Sequence, residues 1–180
     1  MSLLKCSDID MKDIQYTKPE KNGAYYYSSM SYGCSQPIHL QTPRLRCHYS
    51  GDDFLNKGQG IIQLEPTHND FSLYELFLKL DDRNIKHTFH KNKEWFGKNI
   101  PLSQIEDMYK RSSKPVKQGR KPEFNLKVPI IKGKVQCPIY DQKRGCIDIR
   151  KINPECEIVV VIHIRGLKFL KHHYYCDAYI

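Results

Sequence analysis

The chain has 180 residues, with 29 Lys+Arg against 20 Asp+Glu and a formal net charge of +9. A hydrophobic fraction of 39% beside 27% charged residues excludes a disordered chain and leaves one folded domain, with room for an appended element. No apolar run approaches the ~20 residues of a membrane-spanning helix, because the longest, residues 158–164, is interrupted by His163.

The charge is unevenly distributed. Residues 1–90 carry 10 Lys+Arg and 11 Asp+Glu, whereas residues 91–180 carry 19 and 9. The densest stretch, residues 108–121, holds Lys110, Arg111, Lys114, Lys117, Arg120 and Lys121 and no acid. Clustered cations raise a local field that concentrates phosphates, so a polyanion is the expected partner. The seven cysteines form no CxxC pair, and no Asn-x-Ser/Thr acceptor or secretory leader is visible. An intracellular protein with reduced thiols is the simplest account. The sequence stops inside the strand-like residues 174–180, which predicts that the native chain continues.

Residues 1–23 are polar and read as an extended arm or a short strand, leaving 24–180 as the domain. Tyr25, Tyr26, Tyr27 and Tyr32, mixed with Ser and Gly, predict strand and turn. Residues 37–50 read as a strand, a bend at Pro43 and a second strand, and residues 61–64 as a short strand closed by Pro66. Phe71, Leu73, Leu76, Phe77 and Leu80 recur at helical spacing, so a helix spans 71–82, with Ile85 keeping the spacing towards Lys91; Asp70 or Ser72 can cap it. Pro101 opens a second helix, where Ser103 and Glu106 have capping-box spacing. Pro115 and Gly119 make residues 108–121 a basic loop rather than a recognition helix. Beyond it the period changes to two. Phe124, Leu126, Val128 and Ile130 form a half-buried strand, residues 135–140 and 146–150 form a hairpin around Asp141–Gly145, and residues 157–165 form a β-branched strand ended by Gly166. The predicted class is strand-rich α+β, an OB-like antiparallel β-barrel with helices inserted at about 70–111.

Three kinds of site compete. His87 with His90, and His172 with Cys176, are too far apart and unmatched for a structural zinc site, and no cofactor is expected. Asp81-Asp82 and Asp52-Asp53 are adjacent carboxylates that a metal-dependent nuclease could use, but the first pair reads as a helix end and the second as a turn. No P-loop, HExxH or GxSxG is present, so no catalytic residue is named. Single-stranded nucleic-acid binding needs cations along the phosphates and aromatic faces for the bases, each stack worth about 1–3 kcal/mol. Twelve Tyr, seven Phe and one Trp supply the rings. The expected phosphate contacts are Lys110, Arg111, Lys114, Lys117, Arg120 and Lys121 on a mobile loop, extended by Lys127, Lys132 and Lys134. The expected stacking residues are Trp95, Tyr109, Phe169 and Tyr174.

The order of landmarks carries a resemblance over residues 35–180. Gln41-Thr42-Pro43 follows an apolar strand. A leucine-rich helix runs into Trp95-Phe96-Gly97-Lys98. The helix with Ile105 and Tyr109 precedes Pro122-x-Phe124-x-Leu126-Lys127, and an Ile/Val-rich strand leads into Gly166-Leu167-Lys168-Phe169. This arrangement resembles the single-stranded DNA-binding proteins of nucleocytoplasmic large DNA viruses, with an asfarvirus-like member nearest. The resemblance implies an OB-fold that coats single-stranded DNA during viral replication or repair in the host cytoplasm, with possible self-association along the strand. It adds Lys98 and Lys168 to the expected contacts. The chain departs from the pattern at Lys168, where an aromatic is usual, and at Cys47-His48-Tyr49. RNA as the ligand, and a basic face that meets an acidic protein partner in an assembly, remain the competing partners.

Overall fold

The computed structural model describes residues 3–48, 51–52, 55 and 60–180; Asp53 of the Asp52-Asp53 pair lies outside these described residues. The fold is α+β and strand-rich. Its strands are β1 (Leu3–Lys5), β2 (Ile14–Tyr16), β3 (Glu20–Asn22), β4 (Tyr25–Tyr32), β5 (Ile38–Gln41), β6 (Leu45–Cys47) and β7 (Ile61–Pro66). After the helices α1 (Ser72–Phe96) and α2 (Leu102–Met108) come β8 (Tyr109–Lys110), β9 (Phe124–Lys127), β10 (Ile130–Ile131) and β11 (Lys134–Val135). The chain finishes with β12 (Glu157–Ile158), β13 (Val161–Phe169) and β14 (Tyr174–Tyr179). Among the described residues no helix is long and apolar enough to cross a membrane.

Twelve of the described strands join one sheet that curls into a half barrel along the path β1–β5–β13–β14–β9–β7–β6–β12, with β4 laid against β13. Most neighbours are antiparallel; β1–β5, β14–β8 and β14–β9 are parallel. Residues 3–23, expected as an arm or a short strand, widen this sheet, since β1 pairs with β5 while β2 and β3 pair with β4. Alternation sets the faces. In β9, Phe124 and Leu126 are buried while Asn125 is exposed, and in β13, Ile162, Ile164, Leu167 and Phe169 point into the core. The helix α1 covers that side, with Phe77 packed 5.9 Å from Phe124 between ring centroids.

The helix α1 is longer than its apolar period predicts. Leu73, Leu76, Phe77, Leu80 and Ile85 are buried, and so are Asp81, Asn84, Thr88 and Asn92. Buried polar side chains are stable chiefly when bonded, and the neighbours provide bonds for Asp81, Asn84 and Asn92. Asp81, fully buried, accepts from the Tyr109 hydroxyl (2.7 Å), the Ser112 amide (2.9 Å) and the Ser113 amide and hydroxyl (3.3 and 3.1 Å). Asn84 accepts from the Tyr16 hydroxyl (2.7 Å) and donates to Tyr109 Oη (2.9 Å). Asn92 donates to the Phe89 and Ile100 carbonyls. Asp81-Asp82 therefore sits in the middle of α1 rather than closing it. Asp70 Oδ1 accepts from the Ser72 amide at the start (3.0 Å), and Gly97 ends the helix at φ 70° with its N–H on the Lys93 carbonyl. The cap of α2 is Pro101, whose carbonyl accepts from the Ile105 amide; Ser103 lies inside the first turn, so the expected capping box does not form.

Two further expectations change. The strand expected over residues 135–140 is confined to β11, paired with β10 across Lys132-Gly133, whose φ values of 49° and 74° suit a two-residue hairpin turn. The Asp141–Gly145 loop does close as expected, through the Tyr140–Cys146 bridge. Gly166 does not end β13. The register against β14 shifts between Ile164 and Gly166, so Arg165 forms a bulge and the strand continues to Phe169. Glycine is required there by proximity: a Cβ at Gly166 would lie 2.2 Å from the Ser28 carbonyl oxygen and 2.9 Å from Tyr27 Cε1.

His87 sits between Tyr16, at 4.1 Å, and Trp95, at 5.3 Å. Burial, with Arg83 and Lys91 nearby, lowers its pKa to about 4 from 6.5. Between those values the unfolded chain takes up a proton that the folded one refuses, so this group lowers stability as pH falls from 6.5 towards 4. Thermal melts across that window should show a falling Tm, with a shallower fall for His87→Phe, which keeps the ring contact and cannot titrate. Removing the buried carboxylate in Asp81→Ala should lower the unfolding free energy by about 3 kcal/mol or more in urea titrations. Asp82→Ala, which removes an exposed pair with Arg111, should cost less than about 1 kcal/mol. Gly166→Ala should cost about 1–3 kcal/mol by overpacking against β4, read in the same titrations.

Candidate nucleic-acid interface

The sheet side opposite α1 is built by the same alternation that fills the core. In β13 and β14, Lys168 and Tyr175 point away from the side that takes Phe169 and Tyr174. The registers align these outward positions into two rows. Tyr27 of β4, Lys168 of β13, Tyr175 of β14 and Lys110 of β8 are successive cross-strand partners. His39 of β5, His163 of β13, Tyr179 of β14 and Lys127 of β9 form the second row. Directly paired residues share a face, so the first row alternates tyrosines with lysines and the second sets three rings beside Lys127. Glu20 of β3 stands at the far end of the first row, opposite Tyr27.

The cations rest on the rings. Lys168 Nζ lies 4.0 Å from the Tyr25 ring centroid, and Lys127 Nζ lies 4.6 Å from that of Tyr175 and 5.2 Å from that of Tyr179. The Arg165 guanidinium, turned outward by the bulge, lies 5.7 Å from the Tyr179 ring. Such contacts hold long cations by their stems while leaving the charged heads in water. Between the rows, the nearly buried Asp177 accepts from the Tyr27 hydroxyl (3.3 Å) and from Lys127 (3.4 Å). Burial and the Asp177 charge push the Tyr27 phenol well above its ordinary pKa, so it stays a neutral donor. His39 and His163 stack at 4.5 Å, and burial together with His39 and Arg165 holds His163 below its ordinary value. At one end, His163, Arg165, Tyr179 and Lys127 form one wall of an 880 Å³ cleft whose other wall is Pro129, Ile130 and Ile131. The face can hold planar rings by stacking and anions by charge.

The expected contacts divide among several places. Lys110, Lys127 and Lys168 stand on this face. Lys132 and Lys134 are exposed on the β10–β11 hairpin beside the cleft. The basic loop leaves in the other direction. Beyond Lys110 the chain turns to α1, where Arg111 pairs with Asp82 at 3.0 Å and Asp81 takes the Ser112 and Ser113 amides. Lys121 Nζ donates to the Pro66 carbonyl (3.3 Å). The loop expected to be mobile is thus bonded at both ends, with Lys114, Lys117 and Arg120 exposed between them. Lys98 is exposed just past the C-terminus of α1.

The stacking expectations need correction. Tyr109, Phe169 and Tyr174 are only 6%, 8% and 2% exposed. They belong to the helix-covered side: Phe169 stacks on Tyr174 at 4.9 Å, and the Tyr109 hydroxyl is committed to Asp81 and Asn84. Trp95 is half-buried at the end of α1, edge-on to Phe169 at 6.1 Å. The rings on the open face are Tyr25, Tyr27, Tyr175 and Tyr179, which the sequence argument does not single out. Their signal is the period of two in Tyr25-x-Tyr27 and Tyr175-x-Asp177-x-Tyr179, neighbours of the positions chosen. His172 is exposed, whereas burial pushes the Cys176 thiol up to about 12, and the described residues hold no metal-like group of three or more His, Cys, Asp or Glu.

No curated protein matches the chain. A family model described as a family of unknown function, DUF5871, matches residues 68–177. That span contains both helices, the basic loop, β9 and β13, and carries Lys110, Lys127, His163, Arg165, Lys168 and Tyr175, while Tyr25, Tyr27 and Tyr179 fall outside it. The match runs over more than half of the sequence, and the chain belongs to the DUF5871 family.

Proposed function

We propose that the protein binds single-stranded DNA with little sequence preference, along the open face of its curled sheet. The observation that carries this reading is the pair of cross-strand rows, Tyr27–Lys168–Tyr175–Lys110 and His39–His163–Tyr179–Lys127. Every base has a π-face, so tyrosines accept bases without regard to sequence, while the neighbouring lysines meet the phosphates. The unstacked bases of a single strand can reach the rings; a duplex hides its base faces and offers only edges. The half-barrel curl of the sheet is compatible with an OB-like barrel, which we propose as the finer description of the fold. The likeness of residues 35–180 to viral single-stranded DNA-binding proteins favours DNA over RNA. It also supports a role in viral DNA replication or repair at a cytoplasmic site. Lys132 and Lys134 would extend the track past the hairpin.

Fluorescence anisotropy with a labelled oligo-dT, its duplex and the matching RNA tests the reading. Affinity should favour the single DNA strand and fall linearly in log–log form with salt, by about 0.7 per phosphate neutralised. Tyr175→Ala should weaken binding by about 1–3 kcal/mol, roughly 5- to 150-fold, and Lys168→Ala should lower the salt slope by roughly one contact. Tight duplex binding, or full affinity in both variants, would remove the sheet face as the binding surface.

A further inference from the structure

On the helix-covered side, a second cleft of about 950 Å³ opens between the end of α1, the start of α2 and the turn joining β13 to β14. Its volume is that of a small-molecule site rather than of a packing defect. Its walls are aromatic: Trp95 and Phe96 from α1, Phe169 beneath them, and Tyr26 of β4, which is 51% exposed. Trp95 and Phe96 both present edges to Phe169, at 6.1 and 5.6 Å, so neither is sealed under another stacked ring there. Lys98, Lys171 and His172 are exposed and line the cleft, and none of its lining residues is acidic. Such a lining repels cations and favours an anion with a flat apolar body. Gln104 adds an amide that can both donate and accept.

Two buried hydroxyls belong to this site. Thr88 and Tyr174, which are 1% and 2% exposed, both line the cleft. Thr88 Oγ1 lies close enough to Tyr174 Oη to act on the Tyr174 phenol, yet neither hydroxyl makes a well-formed hydrogen bond among the described residues. Hydroxyls so placed keep hydrogen-bonding capacity that a ligand with a polar edge can use. We propose that this cleft binds a nucleotide: the base lies against Trp95, Phe96 and Tyr26, its polar edge is turned to Gln104 and the two hydroxyls, and its phosphate is held by Lys98 and Lys171. The same chemistry is presented by a free mononucleotide and by the phosphorylated end of a strand. The site is separate from the sheet face, which lies across β13 and β14 from it.

Trp95 is the single tryptophan of the chain, and it reports directly on the cleft. Deoxyadenosine monophosphate titrated into the whole protein should quench its emission saturably, deoxyadenosine should bind about tenfold more weakly, and inorganic phosphate should leave emission unchanged. Lys98→Ala combined with Lys171→Ala should weaken the nucleotide by about tenfold or more. Tyr175→Ala, on the other side of the sheet, should leave the titration unchanged, so a failure of the sheet-face reading is distinguishable from a failure of this one. Equilibrium dialysis of the same nucleotide detects a base bound without quenching. Oligonucleotides with a 5′-phosphate or a 5′-hydroxyl, titrated into the Tyr175→Ala protein, separate the two sources, since only a strand-end site prefers the phosphate. Absence of binding in both assays, or binding indifferent to the two lysines, overturns the proposal.

Discussion

The buried carboxylate of Asp81 is the interaction on which the arrangement of this protein depends. It stands in the middle of α1, out of contact with water, and gathers donors from Tyr109, Ser112 and Ser113. Through Tyr109 it reaches Asn84, and through Asn84 it reaches Tyr16 of β2. One network therefore fixes α1, β8, the root of the basic loop and an N-terminal strand relative to one another. A buried charge tolerates few alternative geometries, because each lost donor leaves it poorly solvated in a low-dielectric interior. The pairing of Tyr109 with Tyr174 follows from that placement, and with it the pairing of Lys110 with Tyr175 on the opposite side.

The two sides of the sheet thus answer to a single alternation. Phe169 and Tyr174 go under the helix because Lys168 and Tyr175 go outward, and exchanging the sides would bury a lysine against Leu167 and Phe124 neighbours. The open side avoids the usual penalty of clustering like charges by spacing them with rings. Lys127, Arg165 and Lys168 each lie over a tyrosine, and Asp177 offsets Lys127. The result is a surface whose cations are already ordered before any anion arrives, which reduces the side-chain entropy that binding must overcome. Gly166 makes this possible at the centre, where β4 approaches too closely for any side chain.

The cleft at the end of α1 has a different logic. It forms where the end of α1, carried past its apolar stretch by the satisfied polar residues Asn84 and Asn92, passes over Phe169 and faces the start of α2. Gly97 then stops the helix and leaves Trp95 and Phe96 at its end, above the turn that carries Lys171 and His172. A shorter helix, as the apolar periodicity alone predicts, would leave no such walls.

Much of the organisation is set by local rules that a sequence displays. The helical insertion after Pro66, the bend at Pro43, the Asp141–Gly145 turn and the strand character of residues 124–127, 161–165 and 174–179 follow from spacing, turn chemistry and β-branching. The excess of cations in the second half is equally legible. The sequence also contains the Tyr-x-Tyr alternation of β4 and β14, but alternation alone does not say which of two faces meets water. That choice belongs to the tertiary structure. Tyr109 and Tyr174 read as surface aromatics beside lysines until α1 is laid over them, and Asp81 reads as a helix end until Tyr109 and Ser113, distant in sequence, arrive to bond it. Local propensity extends over a turn or a strand, whereas burial is decided by which elements pack together. The positions of the rings and charges were therefore settled by the sheet registers and the helix above them.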